Sequence, residues 1–284
     1  MNQAQVDAEV FLEAARLNRQ DPLLQGSQLI FPNHGQLVMT GDIHGHDRNF
    51  NRIKSYADLA HARARHVILH ELIHSEPFGA LAEDMSHQVV LEAAKWKVEY
   101  PDQVHFLQSN HELSQLTGKE ITKNGRLVNH DFERGLSVTY GNRSPEVLAA
   151  LCEYIDSFPL AARTQNRVFL SHSLPNAREI PSFDPGVLHR ELNNQDKHEG
   201  GHAYQLVWGR HHTADSLRTL AETFDVDWFI CGHQPRETGW DVVHDRMIIL
   251  ASDHSHGTYL PFDLRKKYTI DSLVDLVRPL AAIT

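Results

Sequence analysis

Five separated segments of the chain each end a short apolar run in a residue able to bind a metal ion. They are Met39-Thr40-Gly41-Asp42-Ile43-His44-Gly45, Val67-Ile68-Leu69-His70-Glu71, Phe106-Leu107-Gln108-Ser109-Asn110-His111-Glu112, Val168-Phe169-Leu170-Ser171-His172 and Phe229-Ile230-Cys231-Gly232-His233. Short apolar runs bounded by turn residues read as buried strands. Open α/β folds build their ligand sites beyond the carboxyl ends of such strands. Five runs that all end in donor side chains therefore describe a metal centre carried on sheet edges.

The rest of the chain supplies the partners such strands need. Helical patterns at roughly Arg48–Leu59, Asp84–Tyr100 and Ser144–Asp156 alternate with strand-like runs at Val67, Val104 and Val168, which predicts a sheet with crossover helices. Ala4 to Leu17 also carries apolar residues at helical spacing. Gln28–Phe31, the turn Pro32-Asn33-His34-Gly35 and Gln36–Thr40 read as a hairpin running into Gly41-Asp42. After a helix near Ala214–Phe224 and the strand at Trp228, closely spaced runs at Gly239–Val243, Met247–Leu250 and Thr258–Phe262 read as antiparallel, and a helix over Ile270–Leu280 closes the chain. Two sheets follow, one mainly parallel and one mixed. With no linker-like stretch or repeat, residues 1–284 read as one domain, in which 113–156 is either a helical cap over the site or a simple excursion.

A formal net charge of −10 argues against nucleic acid or anionic membrane as partners. A phosphate-bearing substrate would then need local positive charge, which bound metal ions would supply. Cys152 and Cys231, the two cysteines, read as small core residues rather than a disulfide framework. No 18 consecutive apolar residues occur, and the start lacks the basic and apolar regions of a secretion signal. The cytoplasm is the expected location.

Asp42 and His44, between glycines that let the chain turn sharply, put a carboxylate and an imidazole on one side of the backbone. Asn110 adds a carbonyl donor beside His111, and His172 and His233 each follow a strand directly. Mixed nitrogen and oxygen donors suit Mn, Fe and Zn. The order and wording of these motifs resemble the calcineurin-like metallophosphoesterases, in particular the phosphoprotein phosphatase branch, whose signature runs GDxHG, GDxxDR, GNHE, a strand-terminal His and GH. Phe158-Pro159-Leu160-Ala161-Ala162 and Leu206-Val207-Trp208 look similar as well, so the resemblance spans about Val38 to Phe262. It implies a four-layer α/β/β/α sandwich with two divalent ions (Mn, Fe or Zn). The implied reaction is hydrolysis of a phosphate ester, a monoester before a diester, by a metal-activated water. The substrate would be a small phosphorylated molecule or a phosphoprotein. By the same resemblance Asp42 and His44 hold the first ion, Asn110, His172 and His233 the second, Glu71 bridges them, and His111 protonates the leaving oxygen.

The second motif departs from the pattern. Glu71 replaces an aspartate, His74 stands where the family has the acidic residue behind its catalytic histidine, and Ser75 stands where it has a phosphate-binding arginine. Arg210 is the preferred replacement clamp, with Arg48 and Arg236 as others, and these losses count against phosphoprotein substrates. The same residues spell His70-Glu71-x-x-His74, the zinc peptidase motif, which requires both histidines on one helix face. A strand before it and Ser75-Glu76-Pro77-Phe78-Gly79 after it oppose a helix. A third reading is a metallophosphoesterase scaffold whose site has decayed, against which stands a donor-type residue at every position. His61, His66, His105, His130 and His244 read as surface or edge residues, and His211 and His212 as preceding a helix. His254 and His256 follow a strand and read as substrate contacts, as support behind the ligands, or as a solvated loop, and Asp253 as a residue that orients a ligand histidine.

Overall fold

The computed structural model describes residues 2–75, 83–123 and 125–283. Strands of alternating pleat bury side chains on both faces, so each sheet must be covered twice. In the five-stranded sheet the order is Arg278–Pro279, Thr258–Asp263, Gln36–Thr40, Arg65–His70 and Val104–Leu107, the last three mutually parallel. The seven-stranded sheet runs Leu24–Gln25, Gln28–Phe31, Ala161–Thr164, Val168–Ser171, Trp228–Cys231, Met247–Leu250 and Trp240–Val243, with parallel and antiparallel pairs mixed.

Neighbouring residues on one strand go to different cores. Leu37, Met39 and Ile68 join Leu170, Ile230, Ile248 and Leu250 in the core between the sheets. Val38, Val67 and Leu69 face outward onto the helices Gln3–Arg19, Asp47–Ala57, His87–Glu99, Val128–Tyr140 and Ser144–Asp156. On the other side Phe169, Phe229, Cys231 and Ile249 meet the helices His202–Trp208 and Ala214–Phe224. Helix, sheet, sheet and helix thus stack as the four-layer α/β/β/α sandwich expected. Within 113–156, Phe132, Leu136, Leu151 and Tyr154 are buried in the outer helical core.

Several local expectations give way. Gln28–Phe31 and Gln36–Thr40 do not pair as a hairpin; each joins a different sheet. Pro32 cannot donate to a ladder, and Leu29, Phe31, Leu37 and Met39 all point into the inter-sheet core, so the turn spans the sandwich. The last-third strands likewise divide, Thr258–Asp263 crossing to pair with Gln36–Thr40. The closing helix stops at Val274, because Arg278–Pro279 pairs with Thr258–Tyr259. His105 lies on the edge strand Val104–Leu107 but is buried there, held by Asp21 Oδ2 at 2.8 Å, which also accepts from Lys97 Nζ at 3.1 Å. The expected helix stop at 76–79 lies outside the described residues. Among the described residues no helix is long and apolar enough to cross a membrane.

Candidate metal centre

All the strand-end donors converge on one edge of the sandwich. The two sheets meet there through a bridge between Asp42 and Ala251, reinforced by the Ser252 N–H donating to the Asp42 carbonyl at 3.1 Å. A Cβ on Gly41 would lie 2.3 Å from the Leu250 carbonyl carbon, so only glycine permits this approach. His44, Glu71, His74 and His233 all have positive φ, between 45° and 69°. Such backbone is uncommon outside glycine and clusters at functional sites. The His70–His74 segment is accordingly a strand end followed by an irregular loop, not a helix.

The loop is clamped from both sides. Glu71 O accepts the N–H groups of Ile43 and His44 at 3.0 and 2.7 Å. Buried Glu112 accepts the Leu72 N–H at 2.7 Å, which gives the last residue of the Asn110-His111-Glu112 tripeptide a structural task. The helix Asn110–Thr117, capped by the Ser109 side chain, sets Asn110 and His111 in its first turn.

Three donors crowd one point: His172 Nε2 stands 2.7 Å from Asn110 Oδ1 and 3.0 Å from His233 Nδ1, and His233 Nδ1 is 2.8 Å from Asn110 Oδ1. Glu71 Oε1 lies 3.5 Å from His172 Nε2 and 3.9 Å from His111 Nε2, while Glu71 Oε2 is 3.7 Å from His44 Nε2. Glu71 thus sits between the two halves of the cluster. Asp42 Oδ1 accepts the His233 backbone N–H at 2.9 Å and is 3.6 Å from both His70 Nδ1 and His172 Nδ1. Two sets of donor atoms, Asp42/His70/His172 and His44/Glu71/His111, each fall within 4.8 Å of one another.

The charges expect a cation. Burial and the neighbouring Asp42 charge push the Glu71 carboxyl well above its ordinary range. Against its burial, Asp42 is held below its ordinary value by the His70 charge and by the Glu71 hydrogen bond. Burial and surrounding imidazoles push His172 well down, and burial with Arg210 takes His233 to about 3. Neutral imidazoles are the form that binds metal. Glu71 Oε1 and His233 Nε2 are buried without a hydrogen-bond partner in the described structure. The orphaned Glu71 oxygen, set among nitrogen and oxygen donors, fits a divalent ion; the His233 atom that enters the cluster is Nδ1, not the orphaned Nε2.

Of the arginines considered, Arg210 is exposed yet close enough for its charge to act on Glu71 and His233. Arg48 lines an open cleft of about 990 Å³ beside His44, together with Lys123, Met85, Asp253 and His254. Arg236 turns to Asp241, 3.2 Å away. His254 Nε2 donates to the Arg236 carbonyl at 2.9 Å, and Asp253 Oδ1 stands 3.9 Å from the same nitrogen. Sequence reasoning left the tasks of His70, Glu112 and Gln115 unassigned. Gln115 could have been found, since it lies one turn beyond His111 on the same helix face.

Residues 35–237 match the model of the calcineurin-like phosphoesterases. The chain belongs to that family, a class of phosphate-ester hydrolases that depend on two metal ions. Among solved structures, a Saccharomyces cerevisiae protein serine/threonine phosphatase with similarity to human phosphatase PP5 superposes with a TM-score of 0.69 at 14% identity, over 99% of this chain and 94% of that one. A cold-active protein-tyrosine phosphatase from a psychrophilic Shewanella species gives 0.59 at 13% identity, over 93% and 84%. At these identities the likeness is one of fold. No curated protein matches the chain.

Proposed function

We propose that the chain hydrolyses phosphate monoesters, with Asp42 and His44 holding one divalent ion, Asn110, His172 and His233 a second, and Glu71 between them. The observation that carries this reading is the buried Glu71 Oε1, orphaned midway between His172 and His111. Two such ions (Mn, Fe or Zn), when bound, supply Lewis acidity and lower the pKa of a water toward neutrality. His70 supports the set. Its Nε2 lies 3.0 Å from the Thr40 carbonyl and donates to it, which leaves Nδ1 as an acceptor for His172 Nδ1 at 3.0 Å.

His111 faces the centre through Nε2 and donates a proton to the leaving oxygen. Arg210 binds the phosphoryl oxygens in the role that Ser75 cannot fill. The cleft beside His44 receives the remainder of the substrate, and its mix of Arg48, Lys123, Met85 and Val89 suits a small phosphorylated molecule at least as well as a phosphoprotein. Residues 1–284 act as one domain, and the unpaired Cys152 and Cys231 agree with a reducing cytoplasm.

The test is p-nitrophenyl phosphate hydrolysis by chelator-stripped protein before and after adding Mn²⁺, Fe²⁺ or Zn²⁺. Turnover that appears only with metal is the expected result. Silence with all three would contradict the reading and move the decayed-scaffold and zinc-peptidase readings ahead of it.

A further inference from the structure

We propose that His111 is locked in a single tautomer by a one-way hydrogen-bond chain that starts at Glu133 and passes through Gln115 and His74. The inference rests on the reading above for its catalytic consequence, while its geometry stands apart from it. Gln115 Nε2 donates to Glu133 Oε1 at 3.2 Å, His74 Nε2 lies 3.1 Å from Gln115 Oε1, and His74 Nδ1 lies 2.9 Å from His111 Nδ1. His74, Gln115 and His111 are all buried.

Direction follows from what each group can do. An ionised carboxylate only accepts, so the Gln115 amide must turn its NH₂ to Glu133 and its oxygen to His74. That oxygen requires a hydrogen on His74 Nε2. A doubly protonated His74 would be a buried cation whose ring has only an amide and an imidazole for partners, which burial disfavours. His74 Nδ1 is therefore a lone pair, and the hydrogen in the 2.9 Å contact belongs to His111 Nδ1.

His111 Nε2, 3.9 Å from Glu71 Oε1, is left outside this hydrogen-bond chain, facing the centre. A neutral ring with its hydrogen on Nδ1 is the reverse of the tautomer a free histidine favours. When the phosphorus–oxygen bond breaks, its electron pair stays on the leaving oxygen, which takes the second proton that the imidazolium form of His111 carries at Nε2; unlike a cation at His74, that form faces a carboxylate, Glu71 Oε1 at 3.9 Å. The neutral ring that remains is already the form the chain demands, and solvent returns the proton to Nε2.

The scaffold is built to hold this. His111 and Gln115 lie at i and i+4 on Asn110–Thr117 and grip the His74 ring between them. His74 reaches that position through a φ of 63°, with its N–H on Ser86 Oγ at 3.0 Å and its ring edge-on to Phe132 at 5.5 Å. His74 and Gln115 are thus positioning residues; neither touches the reacting atoms.

Two-bond ¹H–¹⁵N correlation spectra of histidine-labelled protein read the tautomer directly. The expected result is a protonated Nδ1 on His111 in the wild type and loss of that single state in Gln115→Leu. A wild-type His111 protonated at Nε2 alone would overturn the proposal, whatever the enzyme does. In the metal-loaded enzyme, Gln115→Leu should slow phenyl phosphate, whose leaving group needs a proton, by about 10- to 100-fold. It should slow 2,4-dinitrophenyl phosphate, whose leaving group does not, by less than about 3-fold, with metal content unchanged. Gln115→Glu, which keeps an acceptor for His74, should recover most of that difference. Equal losses on both esters in both variants would reduce the chain to a structural role. A wild type that cleaves neither ester would instead remove the phosphatase reading and leave the spectra to decide the tautomer.

Discussion

At the scale of single residues, His74 and Ser75 put an imidazole and a hydroxyl where the family pattern has a carboxylate and an arginine. The lost cation must come from elsewhere, and Arg210 is the arginine whose charge reaches both Glu71 and His233. A charge-assisted bond to phosphate contributes about 1.5–3 kcal/mol. Arg210→Ala is therefore expected to raise both KM for a phosphate monoester and the inhibition constant of free phosphate by about 10- to 100-fold. Arg48→Ala should leave phosphate inhibition unchanged; the opposite ranking would reassign the clamp. Asp42, His44, Asn110, His172 and His233 stood out in the sequence as donor residues at or just beyond the ends of apolar runs, and the structure brings the five into one cluster. His70 was left without a task. It ends its own strand, and what gives it a task is the approach of His172 from the other sheet, 102 residues away.

At the scale of elements, the site depends on two stacked sheets closing onto each other at one edge of the sandwich. Helix and strand positions were readable from periodicity: Ser144–Asp156, Ala214–Phe224 and Met247–Leu250 fall where the apolar spacing puts them. Which sheet a strand joins was not, because a buried strand in either sheet carries the same continuous apolar run. Gln28–Phe31 and Gln36–Thr40 show this: the turn between them is short enough for a hairpin, yet both strands need the inter-sheet core. Gly232 marks how close the elements come. A Cβ there would lie 2.2 Å from Asp42 Oδ1 and 2.5 Å from His70 Cε1. Gly232→Ala should cost about 1–3 kcal/mol of stability, and it should weaken metal binding by displacing Asp42. Calorimetric titration with Mn²⁺ would show this, and wild-type affinity in the variant would mean that Asp42 does not hold the ion.

At the scale of the whole molecule, buried bases make the fold sensitive to acid. Burial lowers His66 and His87 to about 4, whereas unfolded histidines bind protons near about 6.5. Between those values the unfolded chain holds more protons, so stability falls as pH falls through that window. Asp21 acts in the same direction lower down. Its burial is outweighed by the His105 hydrogen bond and the charges of His105 and Lys97, which hold it below the ordinary range, and its contribution is lost below about 3.9. Urea midpoints of metal-free protein should drop from pH 7 to 5 and again to 4; a flat profile would contradict these burials. This cluster was invisible in the sequence, because Asp21 finds Lys97 and His105 from 76 and 84 residues away. The four layers themselves were legible through the resemblance of the motifs to the calcineurin-like phosphoesterases; the apolar runs alone gave two sheets with crossover helices. The most direct measurement is a count of tightly bound ions after equilibrium dialysis against Mn²⁺, in the wild type, His44→Ala and Asn110→Ala. Two ions per chain, falling to about one in each variant, is the predicted result. One ion or none in the wild type would contradict a dinuclear centre.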